Sequence, residues 1–260
     1  RHQSLSRLIA CLERQGFRDF EAIVVDQSKE RWPDAEASFG FPLFYLHAEV
    51  RGAVAARNRG ASLARGEIIA FTDDDCEPAP GWLAAGADAF SRPGIVGVEG
   101  LVTSDHVGEA GWRPVTNDGL EGLSFITANL FVKADDFYAL GGFDLGFEDP
   151  HFREDTDLGW RLEERGEVPF CREAWVHHPA QPRSQERESL EARSRYFEKD
   201  ALLLAKHPRR YVDLFLLEAQ WLHNPDFFYY LKRGAERYGV PLPGPVRKAM
   251  AEWAQSATRP

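Results

Sequence analysis

The sequence predicts an α/β fold, with a mostly parallel central sheet covered by helices and a helical appendage at the C-terminal end. Three observations carry this reading. Short apolar runs alternate with helical patterns through the first two thirds of the chain, as expected of strand–helix–strand units. One run, Glu67-Ile68-Ile69-Ala70-Phe71, is apolar enough for a strand buried on both faces, and it ends in Thr72-Asp73-Asp74-Asp75-Cys76-Glu77-Pro78. From Pro179 the composition shifts to helical segments interrupted by prolines. The expected division is a sheet domain over residues 1–180 and an appendage over residues 181–260.

In chain order, Leu5, Leu8, Ile9 and Leu12 recur at helical spacing and Gly16 supplies a stop, so residues 4–15 are expected to form an amphipathic helix. Phe20 to Val25 reads as a buried strand ending at Asp26, and Leu43-Phe44-Tyr45-Leu46 as a second. Gly52 to Arg65 reads as a helix closed by Gly66. A helix that opens such a chain needs an earlier strand for its right-handed crossover, so the first strand of the sheet is expected to be absent from this chain. Trp82 marks the start of another helix. Residues 99–120, rich in Gly, Asp, Thr and Pro, read as a long loop. Leu123 to Val132 reads as a strand and Asp135 to Leu140 as a short helix broken by Gly141-Gly142. Glu154-Asp155-Thr156-Asp157 crowds acids into the first turn of a helix that stops at Gly166, and Ala174-Trp175-Val176 reads as a strand followed by His177 and His178.

In the appendage, Leu190, Phe197, Ala201 and Leu204 fall on one helical face. Arg183 to Arg210 holds eight Lys or Arg against five Asp or Glu, a local positive excess. The remainder is aromatic, with Trp221, Phe227, Phe228, Tyr229 and Tyr230 among Pro208, Pro225, Pro241, Pro243 and Pro245. A packing cap and a membrane-surface or partner role are both open readings.

With 260 residues, 43% of them hydrophobic, the chain can bury a sizeable core. Its net charge of −10 argues against a general nucleic-acid surface. No apolar run approaches the ~20 residues of a membrane span and the start lacks a signal-peptide core, so the sequence reads as cytoplasmic, with peripheral association at the inner membrane face as an option for the appendage. Cys11, Cys76 and Cys171 are odd in number and unpatterned, so they read as reduced thiols.

The acid triplet carries the functional signal. Three carboxylates at the end of a hydrophobic strand repel and raise one another's pKa unless a cation or protein donors neutralise them. A hard divalent ion with substrate phosphates is one solution, since open α/β sheets bind ligands beyond the carboxyl ends of their strands. The competing reading is a solvated acidic turn that caps the helix at Trp82. For the acids at 154–157 the competing reading is dipole compensation. A histidine pair such as His177-His178 often has a structural role.

Several motifs in order resemble the family-2 glycosyltransferases of the GT-A fold: Phe20 to Asp26, then Gly52-Ala53-Val54-Ala55-Ala56-Arg57-Asn58-Arg59-Gly60, then Gly66 to Asp75, then Gly141-Gly142-Phe143-Asp144 and Glu154-Asp155-Thr156-Asp157-Leu158. The resemblance covers roughly residues 4–178. It implies sugar transfer from a nucleotide-sugar donor, with Asp75 and Asp73 at a Mn2+ or Mg2+ ion and Asp73 or Asp74 assisting at the ribose. Asp155 is implied as base, with Glu154 the fallback. His177 looks like a histidine that reaches the metal or diphosphate, a place His178 fills equally well. Asp26, Gln27, Arg57 and Asn58 would brace the nucleotide. Relatives commonly carry Asp-Asp where this chain has Asp26-Gln27, so the base pocket is expected to favour a UDP- or dTDP-sugar, with a GDP-sugar the runner-up. The implied acceptor is a glycan, a lipid-linked molecule or another hydroxyl in surface or cell-wall polysaccharide synthesis. A catalytically silent nucleotide-sugar-binding module and a nucleotidyltransferase remain the alternatives.

Overall fold

The computed structural model describes residues 1–48, 52–184, 188–218 and 226–257, and these form two compact units. The first comprises residues 1–148 and 154–183, the second residues 149–153 and 184–260. Trp221 and Pro225, used in the sequence reading, lie outside the described residues.

The first unit begins with helix α1 (His2–Glu13), whose Leu5, Leu8, Ile9 and Leu12 are buried as their spacing predicts. Strands β1 (Ala22–Asp26) and β2 (Leu43–His47) pair in parallel, and α2 (Ala53–Ala61) is shorter than expected. Next come β3 (Ile68–Phe71), β4 (Glu77–Pro78), α3 (Trp82–Ala89) and β5 (Gly97–Thr103). The short β6 (Trp112–Arg113) is followed by β7 (Leu130–Lys133), α4 (Ala134–Ala139), α5 (Glu154–Glu163), β8 (Phe170–His177) and β9 (Gln181–Pro182).

Among the described residues the larger sheet has the order β3-β7-β5-β8-β4, separate from the β1–β2 pair. It is mixed. Only β5 and β8 run parallel within it; β7 is antiparallel to both β3 and β5, and β4 is antiparallel to β8. The expected mostly parallel arrangement therefore holds for β1–β2 and β5–β8 and is corrected elsewhere. β7 is entered through a loop and a one-turn 3-10 helix at Thr127–Asn129, which lets it return antiparallel without a crossover helix.

Two further boundaries differ from expectation. Residues 97–103, read in part as loop, form a buried strand, because Glu99 and Gly100 break the apolar run while being buried themselves. Of the expected strand over Leu123 to Val132, only the end from Leu130 pairs, since Phe125 adopts a left-handed φ of 54° that ends extended chain.

The β5–β8 pairing contains a register break. Gly100 pairs with Cys171, but the next residue, Leu101, pairs with Trp175, leaving Arg172, Glu173 and Ala174 unmatched. Side-chain amides fill the gap. Asn129 Nδ2 donates to the carbonyls of Leu101 at 2.9 Å and Ala174 at 2.8 Å while its Oδ1 accepts Trp82 Nε1–H at 2.8 Å. Asn117 Oδ1 accepts Val102 N–H at 2.7 Å and its Nδ2 donates to Gly100 O at 2.9 Å. Buried backbone groups left without ladder partners are thereby satisfied. Gln15 joins α1 to α3 in the same way, donating to Ala79 O and accepting Leu83 N–H.

The second unit is helical: α6 (Leu190–Phe197), α7 (Asp200–Lys206), α8 (Pro208–Tyr211) running into a π-helical turn at Val212–Glu218, α9 (Phe227–Tyr238) and α10 (Gly244–Ala257). The single face expected over Leu190 to Leu204 is split between α6 and α7, and Leu190 is exposed. Glu198, almost wholly buried, accepts from Ser194 Oγ and from Arg233 and Arg237 of α9. Burial would raise its carboxyl, but the bonds from Ser194, Arg237 and Arg233 hold it below the usual range. No helix among the described residues is long and apolar enough to cross a membrane.

Candidate active site

The acid triplet occupies the turn between β3 and β4. Cys76 N–H bonds back to Asp73 O, which folds the turn, and the Cys76 side chain is fully buried. The acids do not cap α3, whose N-cap is Gly81 with no side-chain hydrogen bond. The turn is therefore not explained by service to that helix.

β4 carries the turn to β8. Glu77 pairs with His177, so the residue that follows β8 lies across from Cys76. Accordingly His178 faces the acids, with Nε2 3.5 Å from Asp75 Oδ1 and 4.0 Å from Asp73 Oδ2, while its Nδ1 lies 3.2 Å from Pro179 O. His177 is turned elsewhere, its Nδ1 3.4 Å from Thr103 Oγ1 and its Nε2 4.0 Å from Asp105. Neighbouring residues of an extended chain point to opposite faces, so of the two histidines read as alternatives it is His178 that lies beside the acids.

Ligand atoms of Asp75, Cys76 and His178 lie within 4.8 Å of one another. Burial pushes the Cys76 thiol up to about 12, which disfavours the thiolate that ligation requires. The remaining donors, carboxylates plus one imidazole, fit a manganese-type ion better than a soft metal. Burial, opposed by Arg1 and reinforced by Asp75 and Asp73, raises the Asp74 carboxyl.

Arg57 of α2 connects this turn to the start of α5. Its Nη2 donates to Asp73 Oδ1 at 3.0 Å and its Nη1 to Glu154 Oε1 at 2.8 Å. Burial disfavours its charge, but Asp73, Glu154 and Asp155 outweigh that and raise its pKa. Glu154 is almost fully buried, and burial pushes its carboxyl up against the pull of Arg57. Asp155, half-buried, accepts Thr156 N–H on Oδ1 at 2.7 Å. Asp157 is fully buried beside Arg161, which also donates to the carbonyls of Leu140 and Gly142, so this acid secures the Gly-Gly turn.

The four residues expected around the nucleotide separate. Asp26 is buried at the end of β1 and accepts Ser28 N–H and Tyr45 O–H; these bonds, against burial, hold its carboxyl low. Gln27 is exposed and donates Nε2 to Gly52 O at 2.8 Å. Arg57 takes the bridging place just described. Asn58 clamps α2 to the loop after α4: its Nδ2 donates to Phe143 O at 2.8 Å and its Oδ1 accepts Phe143 N–H at 2.9 Å. Glu148 also serves α2, accepting Ala55 N–H at 2.9 Å beside Gly52, which has a φ of 102°. Nothing in the sequence spacing announces Glu148 or Glu99 as buried or capping acids, because both act across long separations.

A mixed α/β sheet with acids at the end of a central-sheet strand and a second acidic pair at a helix start defines the GT-A class of glycosyltransferase folds, and solved structures agree. Mannosyltransferase PcManGT from Pyrobaculum calidifontis, solved with GDP-Man and Mn2+, aligns with a TM-score of 0.61 over 100% of this chain and 78% of that one, at 18% identity. S. aureus TarS 1-349 with UDP-GlcNAc aligns with a TM-score of 0.59 over 91% of this chain and 78% of that one, at 14% identity. The chain belongs to glycosyl transferase family 2, whose family model matches residues 1–152. It is 30% identical over 181 residues to glycosyltransferase AglE of Haloferax volcanii, covering 63% of this chain and 58% of the relative. It is 28% identical over 184 residues to the pre-mycofactocin glycosyltransferase of Mycobacterium tuberculosis, covering 65% and 38%. The chain thus spans less than two thirds of the length of these curated relatives.

Proposed function

We propose that this chain is a metal-dependent, inverting glycosyltransferase that moves a sugar from a nucleoside-diphosphate sugar to a hydroxyl of a glycan or lipid-linked acceptor. The observation that carries the reading is the convergence of Asp73, Asp75 and His178 on one side of Arg57 with Glu154 on its other side, next to Asp155. Asp75, Asp73 and His178 would hold a Mn2+ or Mg2+ ion, which when bound offsets negative charge developing on the leaving diphosphate. Membership of family 2 and the donors present in the two structural neighbours support a nucleotide-sugar donor.

The chain's own groups then divide the remaining work. The acceptor hydroxyl attacks the anomeric carbon as the carbon–oxygen bond to the diphosphate breaks, and its proton passes to the Asp155 carboxylate. Attack opposite the leaving group inverts that centre. Thr156 N–H fixes one oxygen of Asp155, and Arg57 draws Glu154 away from base duty into a salt bridge. Asp26 and Gln27 end β1 beside α2, where Gln27 retains an oxygen acceptor for a base N–H. The direct test is calorimetric titration of UDP, dTDP and GDP with and without manganese, followed by assay of UDP-GlcNAc and GDP-mannose hydrolysis. Metal-dependent binding with donor hydrolysis is expected; metal-dependent binding with no hydrolysis or transfer would favour a silent binding module.

A further inference from the structure

A further buried carboxylate, Glu99 on β5, lies outside the groups assigned above. It is 1% exposed, and among the described residues no cation pairs with it. Its Oε2 accepts Gly122 N–H at 2.7 Å and its Oε1 accepts Asn117 Nδ2 at 3.1 Å. Both donors belong to the segment between β6 and β7, which is tightened by left-handed backbone at Gly119, Gly122 and Phe125. Glu99 therefore pins the middle of this segment to β5.

The far end of the same segment seats α5. Thr156 Oγ1 donates to Ser124 O at 3.2 Å. The fully buried Phe125 ring lies so close to Gly159 that a Cβ there would fall 2.1 Å from it. Thr156 is also the residue whose N–H holds Asp155 Oδ1. A continuous path of contacts thus runs from Glu99 through Gly122, Ser124 and Thr156 to Asp155.

We propose that Glu99 is a positioning residue that sets the orientation of the Asp155 carboxylate through the segment 117–125. This rests on the reading of Asp155 as the base. Asp155 of α5 and Glu121 of the segment both act electrostatically on Glu99, while Arg172 of β8 reaches the segment through Asp118 and Glu121. Burial, opposed by the Gly122 and Asn117 bonds and reinforced by Glu121 and Asp155, raises the Glu99 carboxyl to about 7. Ionisation of Glu99 near neutral pH strengthens its hold on both donors, so Asp155 is held best above that pH.

The test needs no donor. The carboxyl 13C resonance of Asp155, identified by its loss in D155N, is followed with pH in the full chain and in E99Q. Expected is a step with midpoint near 7 in the wild type that disappears in E99Q. The wild-type amides of Gly122 and Thr156 should also exchange several-fold more slowly above that midpoint than below it, relative to amides late in α5. An Asp155 resonance without that step, or amides without that change, overturns the proposal, and both wild-type readouts stand even if E99Q fails to fold. With UDP-GlcNAc or GDP-mannose as the probe donor, E99Q should lose roughly tenfold in kcat with KM for the donor within about twofold; a loss of thermal stability with kcat unchanged also overturns it. Native turnover by D155N would instead defeat the base assignment while leaving the carbon and exchange readouts to judge the positioning link.

Discussion

Arg57 donates to Glu154 at 2.8 Å across 97 residues of chain, both side chains being largely withdrawn from solvent. A buried charge whose partner is removed is left uncompensated, so Arg57→Met is expected to destabilise the fold by about 3–5 kcal/mol, whereas the double variant R57M/E154Q should recover most of that loss. Urea denaturation of the two variants checks this. Equal destabilisation in both would mean that the pair contributes through packing alone.

The metal and base assignments predict opposite failures. Asp75→Ala should abolish the manganese-dependent part of nucleoside-diphosphate binding while the fold persists. Asp155→Asn should leave that binding within about twofold and lower turnover by a factor on the order of a hundred or more. Calorimetry and single-turnover kinetics on the same preparations separate the two. Near-native turnover in the Asn variant would transfer the base role to Glu154, against the burial and salt bridge of that side chain.

Glu99 also predicts a pH dependence of stability. Its folded-state pKa of about 7 stands above the model-peptide value, so the folded chain keeps a proton that the unfolded chain gives up. The contribution is favourable at low pH and is lost as pH rises from about 4.5 through 7, a swing of roughly 3 kcal/mol. In E99Q the denaturation midpoint should vary less between pH 5 and 8 than in the wild type. An unchanged slope would assign the swing to other groups.

Gln27 tests donor choice. Its amide N–H2 is engaged by Gly52 O, which orients the remaining oxygen as an acceptor suited to the imide N–H of uracil or thymine. Gln27→Ala should weaken UDP and dTDP by about 1–2 kcal/mol and GDP less, flattening the ranking in competitive titration. A preserved ranking would return Gln27 to the role of an exposed turn residue that only steadies Gly52.

The sequence made the strand ends legible where local pattern and chemistry coincide. The apolar run into Asp73-Asp74-Asp75, the spacing of Leu5 to Leu12, and the acids opening α5 are all short-range signals, and each appears in the fold close to its expected place. What was not legible depends on partners distant in sequence. β5 was hidden because Glu99 reads as polar, and only Asn117 and Gly122 make its burial tolerable. The Asn58 amide, both ends of which Phe143 uses, is another such case. The antiparallel entry of β7 depends on the left-handed Phe125, a conformation the residue type disfavours.

The register break between β5 and β8 has a consequence of parity. Arg172, Glu173 and Ala174 are an odd number of unmatched residues, and side chains along a strand alternate with period two, so the break reverses which of two consecutive positions downstream faces the acid turn. The choice of His178 over His177 is thus encoded in a count of residues upstream, not in the histidines themselves. With the register upstream of the break kept, one residue inserted there would bring His177 to the position His178 now holds, and two would bring Val176 to it, so the length of this stretch sets which side chain meets the acids.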